Sequence, residues 1–231
     1  MKRVYKQVTT RSAEGGWGVA LDGRAMRTPG RNDLIVPSER LATAIAAEWD
    51  AQREEIRPMT MPLTRLAATA IDRTAVQRDQ VIAETANYAG TDLVCYRADH
   101  PPELAARQQT AWQPLLDWAT LRYDAALAVT SGVIPTRQSA AALKAFAAAV
   151  AGLDDFRLTA LHMLTAACGS LVIALALLEG RVDTATAFAA SQLDETFQIE
   201  AWGEDAEAAE RRRALAADIE SAARFLDLLG A

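Results

Sequence analysis

The chain has 231 residues, a formal net charge of −6 and a pI near 5.1, and half of its residues are hydrophobic. That length buries a core in one large domain or two small ones, and the apolar share excludes a disordered chain. An acidic chain has no general electrostatic basis for binding nucleic acid or anionic lipid.

The opening run Met1-Lys2-Arg3-Val4-Tyr5-Lys6 has neither the apolar stretch of a secretion signal nor an Arg/Ser-rich amphipathic presequence, so a cytoplasmic protein is expected. Val4, Lys6 and Val8 alternate with Tyr5, Gln7 and Thr9 at a period of two, a strand pattern. Gly15-Gly16 punctuates it. Trp17, Val19 and Leu21 then share one strand face, Asp22-Gly23 follows, and residues 24–28 form a return strand. Asp-Gly between two such runs signals a hairpin, because the turn needs positive φ. Pro29-Gly30 turns the chain again, and Leu34-Ile35-Val36 is a short strand ended by Pro37. From there the period is helical. Ser38 is a good N-cap, and Leu41, Ile45, Trp49 and Gln52 lie on one stripe. Arg57-Pro58 breaks this helix and Pro62 opens the next, in which Leu63, Leu66, Ala67, Ala70 and Ile71 share a face. A third helix is expected over 74–89, stopped by Gly90.

Pro101-Pro102 opens a helical segment through Leu104, Gln108, Trp112, Leu115 and Ala119, kinked or restarted at Pro114. Residues 123–134 are ambiguous, with room for a short extended piece. Thr136 is expected to cap a helix with Leu143, Phe146, Ala147 and Val150 inward and Gly152 at its end. Residues 156–179 are the most apolar stretch. Their length is marginal for a membrane span, Arg157, His162, Thr165 and Ser170 interrupt them, and no basic cluster flanks them, so a buried central helix is expected. Two more helices are expected over 183–201 and 205–229, separated at Gly203. The fold class is α+β: a small hairpin-rich β/α N-terminal domain over 1–85, then an all-α helical domain over 86–231.

Signatures of chemistry are missing from this pattern. There is no phosphate loop, and Gly16-Trp17-Gly18 lacks the third glycine and the strand-to-helix setting of a dinucleotide loop. There is no nucleophile elbow. Cys95 and Cys168 are far apart and are expected as small buried apolar groups. His100 and His162 have no ligand-spaced neighbours, and His162 is expected as a satisfied core histidine. Arg211-Arg212-Arg213 follows Glu204, Asp205, Glu207 and Glu210, the pattern of a solvated face with intrahelical ion pairs. No catalytic residue, cofactor or metal is expected. One carboxylate stands apart. On a single helical wheel Phe188, Gln192, Glu195, Ile199 and Trp202 share a stripe, with Leu193, Phe197 and Ala201 opposite. Glu195 within an apolar face must be paired, with an arginine of the chain, or hydrogen-bonded, or placed at an interface.

Three ordered blocks carry a resemblance. The first is Leu21-Asp22-Gly23-Arg24, Thr28-Pro29 and Val36-Pro37-Ser38. The second is Glu48-Trp49-Asp50-Ala51-Gln52, Ile56-Arg57-Pro58, Met61-Pro62-Leu63-Thr64 and Ala70-Ile71-Asp72. The third is Asp194-Glu195, Phe197-Gln198-Ile199 and Trp202-Gly203. The set resembles the F1-type ATP synthase assembly chaperones that act on the F1 α subunit. The resemblance implies a protein without enzymatic activity. It binds the free α subunit and shields its interface until the β subunit joins, with no nucleic-acid, membrane or small-molecule partner. Glu195 matches an acidic position of the family and is the foremost candidate contact, with Asp194, Gln198 and Trp202 on the same surface. Trp49, Asp22, Gly23, Pro62 and Asp72 are structural signature positions. A bacterial, cytoplasmic member is expected, whereas eukaryotic members would be mitochondrial. Two other readings stay open: an enzyme with a carboxylate-centred pocket around Glu195, and a plain helical scaffold whose acidic residues are all internally paired.

Overall fold

Two hairpins open the chain. Strands β1 (Val8–Ala13) and β2 (Gly16–Leu21) pair antiparallel, with Val8 opposite Leu21 and Ala13 opposite Gly16. The structure is a computed structural model and describes residues 2–132 and 136–230. Strand β3 (Arg24–Ala25) returns beside β2 after Asp22-Gly23, whose φ values of 48° and 78° are those a two-residue primed turn demands. Beyond Ala25 only a single bridge, Arg27 to Asp33, continues the expected return strand. Strand β4 (Ile35–Val36) pairs with Trp17 and Gly18 of β2. Gly16 is required there, because a Cβ at that position would collide with the Val36 carbonyl. The expected strand from Val4 begins at Val8 instead. Val4 is exposed, while Tyr5 is buried and its hydroxyl donates to the Trp49 carbonyl at 2.7 Å.

Helix α1 (Glu39–Asp50) starts where Ser38 Oγ accepts from the Leu41 N–H, as its residue type predicts. It packs on β1 and β2 and buries Leu41, Ala42 and Ile45 completely. Helix α2 (Pro62–Thr69) carries Pro62 in its first turn and buries Leu63, Leu66 and Ala67. A π-helical turn, Ala70–Thr74, follows, with the Ala75 N–H donating to the Ala70 carbonyl at 2.9 Å. This wider turn delays the helix expected over 74–89, which becomes α3 (Arg78–Ala86) and a 3₁₀ turn, Asn87–Gly90.

The chain divides into two compact units. The first is Met1–Arg78 with Asp154–Ala160 and Ser221–Ala231; the second is Asp79–Leu153 with Leu161–Glu220. The first unit therefore includes two helical segments from far along the chain. Within it Thr74 and Thr159 share a hydroxyl hydrogen bond of 2.7 Å, Phe156 stacks on Phe225, and Ser38 donates to the Leu228 carbonyl.

Among its described residues the second unit is helical apart from a parallel pair, β5 (Tyr96–Arg97) and β6 (Thr130–Ser131). The latter supplies an extended piece within 123–134, and Ile134 lies outside the described residues. Helix α4 (Pro102–Tyr123) runs unbroken through Pro114, which leaves the Thr110 carbonyl without its helical donor. Helix α5 (Ala140–Ala151) buries Phe146 and Val150, and its cap is Ser139 rather than Thr136. The apolar stretch 156–179 is two helices, not one. Helix α6 (Asp155–Cys168) ends at Gly169, where φ is +64°, and Ser170 caps α7 (Leu171–Leu178) by accepting from the Ile173 N–H at 3.0 Å. Helix α7 is the buried centre: from Leu171 to Leu177 no residue is more than 9% exposed. Among the described residues no helix is long and apolar enough to cross a membrane.

The helix expected over 183–201 breaks at Gln192 (φ −110°, ψ 22°) into α8 (Thr184–Ser191) and α9 (Leu193–Trp202), so residues 188 and 195 do not share one wheel. Helix α10 (Ala206–Leu229) follows Gly203. Its basic run is paired within the helix as expected at Arg211 with Glu207 and Arg213 with Glu210, whereas the Arg212 side chain is mostly buried and reaches Glu204 ahead of the helix. His162 Nδ1 lies 2.9 Å from the Thr85 hydroxyl, the satisfied state expected of it. Cys95 and Cys168 are free and buried, and burial, reinforced by nearby Asp92, pushes both thiols up to about 12.

Candidate functional site

In the first unit the signature carboxylates organise backbone. Glu48, on α1, reaches the start of α2: its Oε1 accepts from the Leu63 N–H at 2.8 Å, and its Oε2 from the Thr64 N–H at 2.8 Å and the Thr64 hydroxyl at 2.7 Å. Gln52 bridges the Glu48 carbonyl and the Arg57 N–H. Asp72, on the π turn, accepts from the Thr28 hydroxyl at 2.6 Å, the Gly30 N–H at 2.7 Å and Asn32 Nδ2 at 2.8 Å. Burial raises its pKa, but these three donors outweigh it and hold the carboxyl below its usual range. Gly30 has no side chain because a Cβ would meet the Asp72 carboxylate at 2.6 Å. Asp22 accepts from the Gln7 and Lys6 N–H groups, which lower its pKa likewise.

The same segments line a half-open cavity of about 730 Å³ with a predominantly apolar wall that includes Met26, Leu34, Trp49, Ile56 and Met61. Trp49 is half-buried and packs beside Tyr5, Ile56 and Met61. Its Nε1–H is buried without an acceptor among the described residues.

In the second unit α9 has no fully buried residue. Asp194 Oδ1 accepts from Gln108 Nε2 at 2.7 Å. Arg107 pairs with Glu200 at 2.7 Å and with Glu103 at 2.9 Å, and lies over the Phe197 ring. Glu195 is half-buried and makes no hydrogen bond or ion pair among the described residues, so the arginine pairing considered for it falls on Glu200 instead. Gln198 is exposed and Trp202 is 80% exposed. The surface thus brings Asp194, Glu195, Gln198 and Trp202 onto one short helix. Glu195 lines neither the cavity above nor the shallower groove walled by Ala111, Ala190 and Leu193.

Arg97 is 7% exposed, its guanidinium sits over the Trp112 ring at 5.0 Å, and none of its three nitrogens has a hydrogen-bond partner among the described residues. Burial lowers its pKa, while Cys95 and Asp194 oppose that. A buried cation satisfied only by a ring face is costly. Arg97→Met is therefore expected to raise the unfolding free energy by about 1 kcal/mol in chemical denaturation, as apolar replacement of buried charge does elsewhere.

Residues 2–120 match the family model described as ATP12 chaperone protein. The crystal structure of Atp12 from Paracoccus denitrificans superposes with a TM-score of 0.95 at 46% identity, over 99% of this chain and 98% of that one. The chain belongs to the ATP12 chaperone family. A protein from Agrobacterium tumefaciens superposes with a TM-score of 0.94 at 41% identity, over 99% of this chain and 86% of that one. The mitochondrial Atp12 protein of Schizosaccharomyces pombe is 24% identical over 214 residues, 87% of this chain and 74% of that one. The α+β architecture expected from the sequence is that of these ATP12 structures.

Within the ATP12 pattern, sequence reasoning missed the capping role of Glu48, the cavity and the buried Arg97. Glu48 is 15 positions from the first N–H it binds, and the cavity wall is assembled from residues between 26 and 73. No period or short motif links such positions. The signal present was Trp49 itself, a large side chain on a stripe otherwise filled by Leu41 and Ile45.

Proposed function

We propose that this chain is an F1 ATP synthase assembly chaperone that holds the free α subunit, in a bacterial cytoplasm, until the β subunit joins. The observation that carries this reading is the 46% identity to Atp12 from Paracoccus denitrificans over almost the whole of both chains. The physical need is plain. A subunit destined for an α/β ring exposes a large apolar interface while alone, and such patches aggregate. A partner that covers the patch removes the aggregating species from solution, and must bind weakly enough for β to displace it.

The contact is proposed at α9. Glu195 is unpaired there, and Trp202 is an exposed aromatic anchor at the helix end, flanked by Asp194 and Gln198. Co-expression with the F1 α subunit alone is expected to keep α soluble and co-purifying; insoluble α with no complex overturns the reading. Glu195→Lys is expected to weaken the complex about tenfold, equivalent to ~1.4 kcal/mol. Glu195 has no hydrogen-bond partner to lose, but it stands in the first turn of α9, where a positive charge opposes the helix dipole, so the melting temperature should fall by about 4 °C at most. A drop of about 10 °C would make Glu195 a structural residue instead.

A further inference from the structure

We propose that the cavity of the first unit is a pocket for a segment of the α subunit, receiving an apolar side chain that has a carboxylate beside it. The inference rests on the assembly reading and deepens it, adding a second contact far in sequence from Glu195.

Size is the first argument. At about 730 Å³ this half-open cleft falls within the range of clefts that hold ligands. The wall of Met26, Leu34, Ile56 and Met61 suits an aliphatic or aromatic side chain rather than a polar metabolite. Met59, 77% exposed, adjoins the lining residue Pro58 and extends the apolar character along the chain outside the pocket. That extension favours a polypeptide over an isolated small molecule.

Trp49 supplies the second argument. Indole can only donate a hydrogen bond, and the Nε1–H of Trp49 is buried with no acceptor. That N–H is closed off from solvent, so an incoming carbonyl or carboxylate oxygen satisfies it only if the indole turns as the segment binds. Charge on the lining points to the carboxylate. Arg27, Arg65 and Arg73 all contribute to the lining. The Arg65 residue is exposed, and its side chain has no hydrogen-bond or ion-pair partner among the described residues. Arg27 meets Asp33 only at 3.5 Å, with both side chains more than half exposed. The single carboxylate of the lining, Asp72, is already occupied by Thr28, Gly30 and Asn32. Around its apolar lining the pocket therefore carries the exposed Arg65 side chain and the loosely held Arg27, which selects an acidic segment and disfavours a basic one.

The test titrates short overlapping peptides spanning the F1 α subunit into the full chain and follows the Trp49 indole N–H resonance, assigned by its loss in Trp49→Phe. A peptide with adjacent apolar and acidic residues should shift that resonance. Changing its acidic residue to lysine should abolish the shift. Arg65→Glu should weaken binding about tenfold with an unchanged melting temperature, since Arg65 is exposed and unpaired. Ala68→Trp, which fills the pocket, should abolish binding. The proposal is overturned if no peptide moves the resonance, if the lysine peptide binds as well, or if Arg65→Glu binds with wild-type affinity. It is equally overturned if the resonance moves with protein concentration alone, which would mean that a second copy occupies the pocket. Co-purification of whole α, run in parallel, separates the two claims. Silent peptides with α retained remove the pocket and leave the assembly reading; loss of α removes the assembly reading.

Discussion

Glu48→Ala is expected to lower the unfolding free energy by about 3 kcal/mol, measured by chemical denaturation at neutral pH. The side chain accepts three hydrogen bonds at the first turn of α2, from two backbone N–H groups and the Thr64 hydroxyl. A helix N-terminus leaves its first N–H groups without internal acceptors, and a negative charge there is favoured by the helix dipole. Loss of an ordinary cap costs about 0.5–2 kcal/mol, and hydrogen bonds to a charged group about 1.5–3 kcal/mol each, so the sum is limited mainly by water replacing the partners. Thr64→Val removes one of the three and should cost about 1 kcal/mol. The double variant should cost less than the two singles added, because the Thr64 hydroxyl has nothing to donate to once Glu48 is gone. A loss below ~1 kcal/mol for Glu48→Ala would show that the carboxylate is dispensable to the helix start. The consequence reaches function too. Met61, Thr64 and Arg65 line the cavity, so a frayed α2 start should also weaken peptide capture there.

This residue shows where sequence reasoning ends. Features with local causes were legible: positive φ at Asp22-Gly23, the Ser38 cap, Pro62 in the first turn of α2, and the alternating ion pairs of the Arg211 run. Each depends on contacts within a few positions. Helix breaks inside apolar stretches were not. Gly169-Ser170 separates two helices whose side chains are apolar on both sides of the break, so hydropathy runs through it unchanged. The break at Gln192 carries neither Gly nor Pro, and it invalidates the single wheel drawn for Phe188 to Trp202. The return of 154–160 and 221–231 to the first unit depends on which layer a helix packs against, which periodicity does not encode. The signature positions were found by resemblance, but their roles came only from geometry. Asp22, Glu48 and Asp72 all accept backbone N–H groups from segments they do not adjoin in sequence.

Asp92 yields the other large effect, in the second unit. Its side chain is wholly buried, with Oδ2 accepting from the Val172 N–H at 3.0 Å and Oδ1 from the Val94 N–H at 3.2 Å. Burial pushes its carboxyl up to about 6, against the opposing hydrogen bonds from Ser170 and Val172. The unfolded chain releases this proton near pH 4, the folded chain near pH 6. Between those values the folded state binds more protons, so the contribution to stability is present below pH 4 and is lost as pH rises to 6. About two pH units at ~1.4 kcal/mol each give a loss of about 3 kcal/mol. Carboxylates held below their usual range, such as Asp154 and Asp183, act in the opposite direction. A bare wild-type profile therefore mixes both signs. The measurement is the difference in unfolding free energy between wild type and Asp92→Asn from pH 4 to pH 7. Asn cannot ionise, and it still offers an oxygen to one of the N–H groups at the start of α7. Wild type should lose about 3 kcal/mol relative to the variant across the window, then run parallel to it above pH 6.5. Parallel profiles throughout would mean that Asp92 ionises in the folded state as readily as in water, with the first turn of α7 stabilising its charge fully.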